Sequence, residues 1–262
     1  MMMFRLQMTH IADGFIQHVP FQHFSADTFP YVQPIHWLQS HFAVGGWSPL
    51  QRLSGMLTAH MTRIAPRNGF TWHPHRGLEI YTWVLEGRVY HEDTTGGKGI
   101  LEAGDFQRMF SGDYIEHQEL NPWDEPARVI QIWYIASRHY QGLPAHYQQV
   151  SKNQLPKRTI GDADVYSLIG ADSPMEEHIE GRLTASFLAT NKTTHIEAPM
   201  VGESLFLYVT DGEGVVTYDG QTIPLRQYDV ILARPDVDIT QIRTTSTSDL
   251  AFLNFYLPEF IG

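Results

Sequence analysis

The chain has 262 residues, 42% hydrophobic, 12% aromatic and only 18% charged, which excludes an extended disordered chain and is enough to bury one large core or two ordinary ones. A formal net charge of -11 argues against a phosphate-neutralising surface and so against direct nucleic-acid binding. With no cysteine, disulfides, thiolate metal sites, iron–sulfur clusters and cysteine nucleophiles are excluded together, and fourteen histidines leave any metal only nitrogen and oxygen ligands.

The opening stretch, MMMFRLQMTHIADGF, breaks its apolar run at Gln7, His10 and Asp13, unlike the core of a secretion signal. Nor does any run approach the roughly 20 apolar residues of a membrane helix; VIQIWYIA (129–136) is short and interrupted by Gln131. The expectation is a cytoplasmic protein with no membrane contact.

Strand-like runs dominate: LEIYTWVLEG (78–87), ARVIQIWYIA (127–136), ESLFLYVTDG (203–212) and YDVILARP (228–235) are rich in β-branched and aromatic residues and end near Gly, Pro or Asp. Helical periodicity is weak. A helical turn can start at SRHYQG (137–142), and SPMEEHIEG (173–181) predicts a short helix with Pro174 at its first position. Many short strands with frequent turns point to all-β sandwiches or barrels.

The polar stretch from Gln141 to Lys157 reads as a connection, which gives two domains, 1–145 and 146–262. The halves echo each other. VLEGRVYHED (84–93) followed by GILEAGDFQRMF (99–110) matches VTDGEGVVTYDG (209–220) followed by TIPLRQYDVILA (222–233) as strand, glycine-marked turn, strand, turn, strand. Two similar β-barrels in tandem are the economical reading.

The strongest chemical signal is His73-Pro74-His75. Alternate residues of a strand project to one face, roughly 6.6 to 6.8 Å apart, a span that two imidazoles can close around one ion at about 2.1 Å each. His117-Gln118-Glu119 repeats the alternation. Three imidazoles and a carboxylate suit Fe, Mn, Co, Ni, Cu or Zn better than Mg or Ca. Glu79, four residues past His75, is as well spaced as Glu119 to supply the carboxylate.

HPHRGLEIYTWVLEGRVYHEDTTGGKG (73–99), LEAGDFQRMFSGDYIEHQE (101–119), EPARVIQIWY (125–134) and HWLQSHF (36–42) together resemble the pirin family of the cupin superfamily, over about residues 36 to 135. The resemblance implies a bicupin, all-β with two tandem jelly-roll barrels, and one mononuclear metal, usually iron, in the N-terminal barrel and none in the C-terminal one. It places the ligands at His73, His75, His117 and Glu119 and leaves Glu79 as an outer or wall carboxylate. It also implies, for some members, quercetin 2,3-dioxygenase activity on a flavonol, with Glu119 serving as ligand and proton acceptor. For others it implies regulation through a protein partner, without catalysis.

Two departures bear on specificity. Asp113 and Tyr114 follow Gly112 where a small or basic pair is usual, which predicts a narrower, more acidic approach, and Arg108 stands where an aromatic is customary. His10, His18, His23, His60, His139, His146 and His178 read as surface or hydrogen-bonded core residues, with His36, His41 and His91 intermediate. His195-Ile196-Glu197 reads as chance polarity in an edge strand, and Trp83, Tyr90, Trp133 and Tyr134 as packing.

Overall fold

The computed structural model describes residues 21–26, 31–140, 142–197, 199–218, 220–234 and 243–258. His10 and His18 lie outside these residues. In chain order the strands are β1 (Phe21–Phe24), β2 (Tyr31–Ile35), β3 (Leu38–Val44), β4 (Met56–Ile64), β5 (Asn68–His75), β6 (Leu78–Glu86), β7 (Arg88–Asp93), β8 (Lys98–Glu102), β9 (Phe106–Phe110), β10 (Ile115–Asn121) and β11 (Ala127–Ile135). There follow β12 (His146–Val150), β13 (Lys157–Ile160), β14 (Ala163–Ile169), β15 (Arg182–Leu188), β16 (Thr193–His195), β17 (Glu203–Asp211), β18 (Gly214–Tyr218), β19 (Gln221–Leu225), β20 (Val230–Ala233), β21 (Arg243–Ser246) and β22 (Leu250–Pro258).

The chain is all-β and divides into two compact units, Pro30–Leu155 with Ser173–Glu180, and Met1–Phe29 with Pro156–Asp172 and Gly181–Gly262. The first is built from a seven-stranded sheet, β12-β9-β6-β11-β4-β3-β2, and a four-stranded sheet, β5-β10-β7-β8. The second repeats this strand for strand: β1-β20-β17-β22-β15-β14-β13 and β16-β21-β18-β19. The internal echo read from the sequence is therefore β6 to β9 against β17 to β20. Its glycine-marked turns are the same device twice. Gly87 (φ +70°) and Gly212 (φ +80°) both adopt the left-handed region, and a Cβ at either would meet a backbone carbonyl oxygen, of Pro126 at 2.3 Å and of Asp249 at 1.9 Å. Only glycine fits.

The polar connection contains β12, which pairs with β9 and so carries the first unit's sheet past the 145/146 boundary expected from composition, while β1 pairs with β20 of the second. The polarity of β12 is that of an edge strand: Gln149 donates to the carbonyl of Ile100, and Gln148 accepts from the amide of Glu176.

Two helical expectations resolve differently. SRHYQG forms one 3₁₀ turn, Arg138–Tyr140. SPMEEHIEG forms no helix, because its amides are taken by side chains of the barrel: Glu176 donates to Gln148 Oε1 (2.9 Å) and His178 to Glu79 Oε1 (3.1 Å). Those bonds hold the segment open where an isolated helix of this length is marginal anyway.

Each core follows strand alternation. In the first unit Val84, Val89, Leu101, Ala127 and Val129 pack together between the sheets. In the second, fourteen buried apolar residues, among them Leu205, Leu207, Val216 and Phe252, form one cluster. There His195 is exposed and Glu197 is paired to Arg158 at 2.6 Å. Among the described residues no helix is long and apolar enough to cross a membrane.

Candidate metal centre

The predicted alternation sets the site. In β10 the burial pattern alternates strictly, and His117 and Glu119 are both on its buried face. Antiparallel pairing puts His117 opposite His73 of β5. The three rings converge, with centroids 4.4 Å (His73–His117), 4.9 Å (His73–His75) and 4.9 Å (His75–His117) apart, and one ligand atom from each lies within 4.8 Å of the others. Glu119 is not in that group; it forms a second one with His117 and His91, so His117 is the residue the two share. Glu79 is not in either; its carboxylate accepts from Tyr81, from Arg108 and from the amide of His178.

The electrostatics favour neutral rings. Burial first, then the neighbouring His73, His91 and His75, pushes His117 down to about 2, and burial with His73 lowers His75 to about 4. His73 donates from Nδ1 to the carbonyl of Thr71 (2.7 Å), which leaves its Nε2 with a lone pair. His75 Nε2 and both nitrogens of His117 are buried without a hydrogen-bond partner. Three converging imidazoles, with buried, unused nitrogens on His75 and His117, are the donor set of a transition metal, so the residues present fit such an ion.

Glu119 is held from the opposite sheet. Gln107 Nε2 donates to its Oε1 (2.9 Å) and Gln131 Nε2 to its Oε2 (2.7 Å), with Thr82 Oγ1 at 3.3 Å from Oε1. The Gln131 amide is locked the right way round, because Trp133 Nε1 donates to its Oε1 (3.0 Å), while Tyr147 OH lies between Gln107 Oε1 (3.2 Å) and Gln149 Oε1 (3.0 Å) with one proton for the two. The ladders place Phe42, His60, Gln131, Thr82 and Gln107 in one row across β3, β4, β11, β6 and β9. Opposed residues face the same side, so this row confronts the histidines.

A cavity of about 610 Å³ opens on His73 and Glu119. Its walls are mostly apolar, with Leu38, Phe42, Leu57, Phe70 and Trp133, and Trp47 stands 64% exposed at its edge. Size and lining are those of a small-molecule site. Trp133, expected to be packing, is a wall of the site and sets its edge against His75 at 5.1 Å. Phe70 lines it because a bulge in the β5–β10 ladder places Phe70, not Thr71, opposite Glu119.

His91 was intermediate from sequence; it is fully buried, stacked on Tyr147 at 4.2 Å and bonded through Nε2 to Asp93 (2.9 Å). His60, read as a hydrogen-bonded histidine, is bonded to Thr62 and also lines the cavity. Tyr114 lies outside the cavity lining, with Arg76 over its ring at 4.4 Å and its hydroxyl on Glu116.

Burial holds His60 at about 4 against an ordinary 6.5. As pH falls from 6.5 to 4 the unfolded chain takes up a proton that the folded protein refuses, so stability is full above pH 7 and declines through that window. His60 alone accounts for about 3 kcal/mol at its lower end. Urea melts of metal-free protein should show this loss, and His60→Leu should shallow it; an unchanged slope would count against the assignment.

The Pirin family model matches residues 46–134. Pirin-like protein 2 of Arabidopsis thaliana is 28% identical over 71% of this chain and 59% of its own. A Zymomonas mobilis protein named "Putative quercetin 2,3-dioxygenase" is 29% identical over 71% of this chain and 79% of its own. Among solved structures, bacterial pirin YhhW from Escherichia coli in complex with nickel(II) superposes with a TM-score of 0.75 at 23% identity, covering 91% of this chain and 99% of that one. Residues 46–134, which contain all four expected ligands, are thus a pirin domain, on a fold shared with a bacterial pirin along nine-tenths of the chain.

Proposed function

We propose that His73, His75, His117 and Glu119 hold one mononuclear transition metal, iron(II) foremost, with Cu, Mn, Ni, Co or Zn as alternatives. On this reading the protein is a dioxygenase of the quercetin 2,3-dioxygenase type acting on a flavonol-like aromatic. The observation that carries the reading is the convergence of unpartnered buried imidazole nitrogens at the end of an apolar cavity of about 610 Å³. A bound metal supplies Lewis acidity toward a substrate oxygen and redox contact with dioxygen. The chain supplies the rest. Leu38, Phe42, Phe70 and Trp133 receive flat rings and exclude water. Glu119 accepts the proton of the substrate hydroxyl on a carboxylate oriented by Gln107 and Gln131. The names of the pirin and dioxygenase relatives agree with this assignment.

Metal content measured together with oxygen uptake on quercetin tests it. One metal per chain with oxygen consumed in step with flavonol loss is expected; loaded protein that consumes none with any flavonol sinks the enzyme reading and leaves a regulatory one. Gln131→Leu should keep the fold while freeing one oxygen of Glu119 and the indole of Trp133. Metal affinity is expected to fall about 10- to 100-fold by competition with a chelator, the usual cost of removing an outer partner of a ligand.

A further inference from the structure

The polar row across the large sheet does not stop at the groups that hold Glu119. Gln107, Thr82 and Gln131 all reach that carboxylate, but the next member, His60, stands opposite Gln131 on β4 and does not. It is one strand, about 5 Å, further from the metal centre. Its residue is 8% exposed and lines the cavity. Its Nδ1 is hydrogen-bonded with Thr62 Oγ1 (2.8 Å), Ser40 Oγ lies 3.4 Å from that hydroxyl, and the Met61 backbone is a weaker hydrogen-bonding neighbour of the ring. Phe42 stacks on the ring at 4.7 Å and fixes its plane. With Nδ1 engaged, Nε2 is the ring atom left for a ligand. A buried imidazole nitrogen facing a cavity whose walls are mostly apolar is costly unless something meets it.

We propose that His60 is the recognition site for a second hydroxyl of the substrate, so that the cavity selects planar aromatics hydroxylated at both ends: one oxygen at Glu119 and the histidines, another at His60. This rests on the substrate class proposed above. Burial keeps the imidazole neutral at ordinary pH, which suits an uncharged phenol better than an anionic group.

The test is calorimetric titration of the metal-loaded protein, kept anaerobic, with quercetin and with galangin, a flavonol that lacks the hydroxyls of the pendant ring. Wild type should bind quercetin about tenfold more tightly, the worth of one good hydrogen bond. His60→Leu should bring that ratio close to one, and His60→Gln, which keeps a donor and an acceptor, should retain more of it. Thr62→Val, which frees Nδ1, should also lower the ratio and carries the test if the leucine variant does not fold. A wild-type ratio near one, a ratio unchanged in His60→Leu, or no binding of either flavonol overturns the proposal. If the ratio responds as expected while aerobic protein consumes no oxygen, the enzyme reading falls and the recognition site stands.

Discussion

Replacing His117 by leucine is expected to remove the metal and, at the same time, to raise the stability of the metal-free protein. His117 is the residue common to both ligand groups, and both of its ring nitrogens are buried without a partner. A buried polar group left unsatisfied costs roughly 1 to 3 kcal/mol, so an apolar side chain of similar size should return about that much to the metal-free fold. The same change removes one of three converging imidazoles. Metal affinity should fall by 100-fold or more, beyond the loss from an outer partner. Wild type should therefore gain stability on loading, by mass action, where the variant gains none. Thermal melts with and without metal, beside metal content after dialysis, check both halves. A variant that retains one metal per chain, or that is less stable than wild type when both are metal-free, contradicts the assignment.

The opposite signs follow from how the site is built, and they mark which parts of it the sequence could disclose. Alternation along a single strand is local, so His73 with His75 and His117 with Glu119 were readable, as was the repeat that becomes β6 to β9 and β17 to β20. The orientation of Glu119 was not, because its donors come from β9 and β11 of the other sheet, brought there by the fold. The trace in the sequence was faint: single polar residues inside apolar runs, Gln131 in VIQIWYIA and Thr82 in LEIYTWVLEG, which on an inward face need a partner. Phe70 was out of reach, since a one-residue bulge reverses the parity that alternation assumes. Residues 173–181 carried a local helix pattern that lost to tertiary hydrogen bonds, one of them from the amide of His178 to Glu79.

Glu79 and Arg108 carry the largest expected effect on stability. By spacing Glu79 rivalled Glu119 as a ligand, and Arg108 was an unexplained departure from an aromatic; each accounts for the other. Both side chains are fully buried and form an ion pair. Tyr81 donates to Glu79 Oε1 at 2.7 Å, and Arg108 Nη2 donates to His178 Nδ1 at 2.9 Å. Glu79 is therefore neutralised by its own arginine, away from the histidine cluster, and the pair ties residues 173–180 to the barrel. Arg108→Ala leaves a buried carboxylate without its permanent counter-charge, with only the titratable His178 Nδ1 at 3.6 Å, and the expected loss is about 3 to 5 kcal/mol. That corresponds to a fall of roughly 6 to 20 °C in the melting transition of the unit that contains it. Glu79→Met with Arg108→Leu removes both charges and should lose less than Arg108→Ala alone, because an uncompensated charge costs more than a missing pair. The amide of His178 gives a local reading. Its hydrogen exchange should quicken in both variants relative to the rest of the unit, since its acceptor is destabilised in one and deleted in the other. If the single variant melts with wild type, or the double variant is the less stable of the two, the pair is not what holds this corner of the barrel.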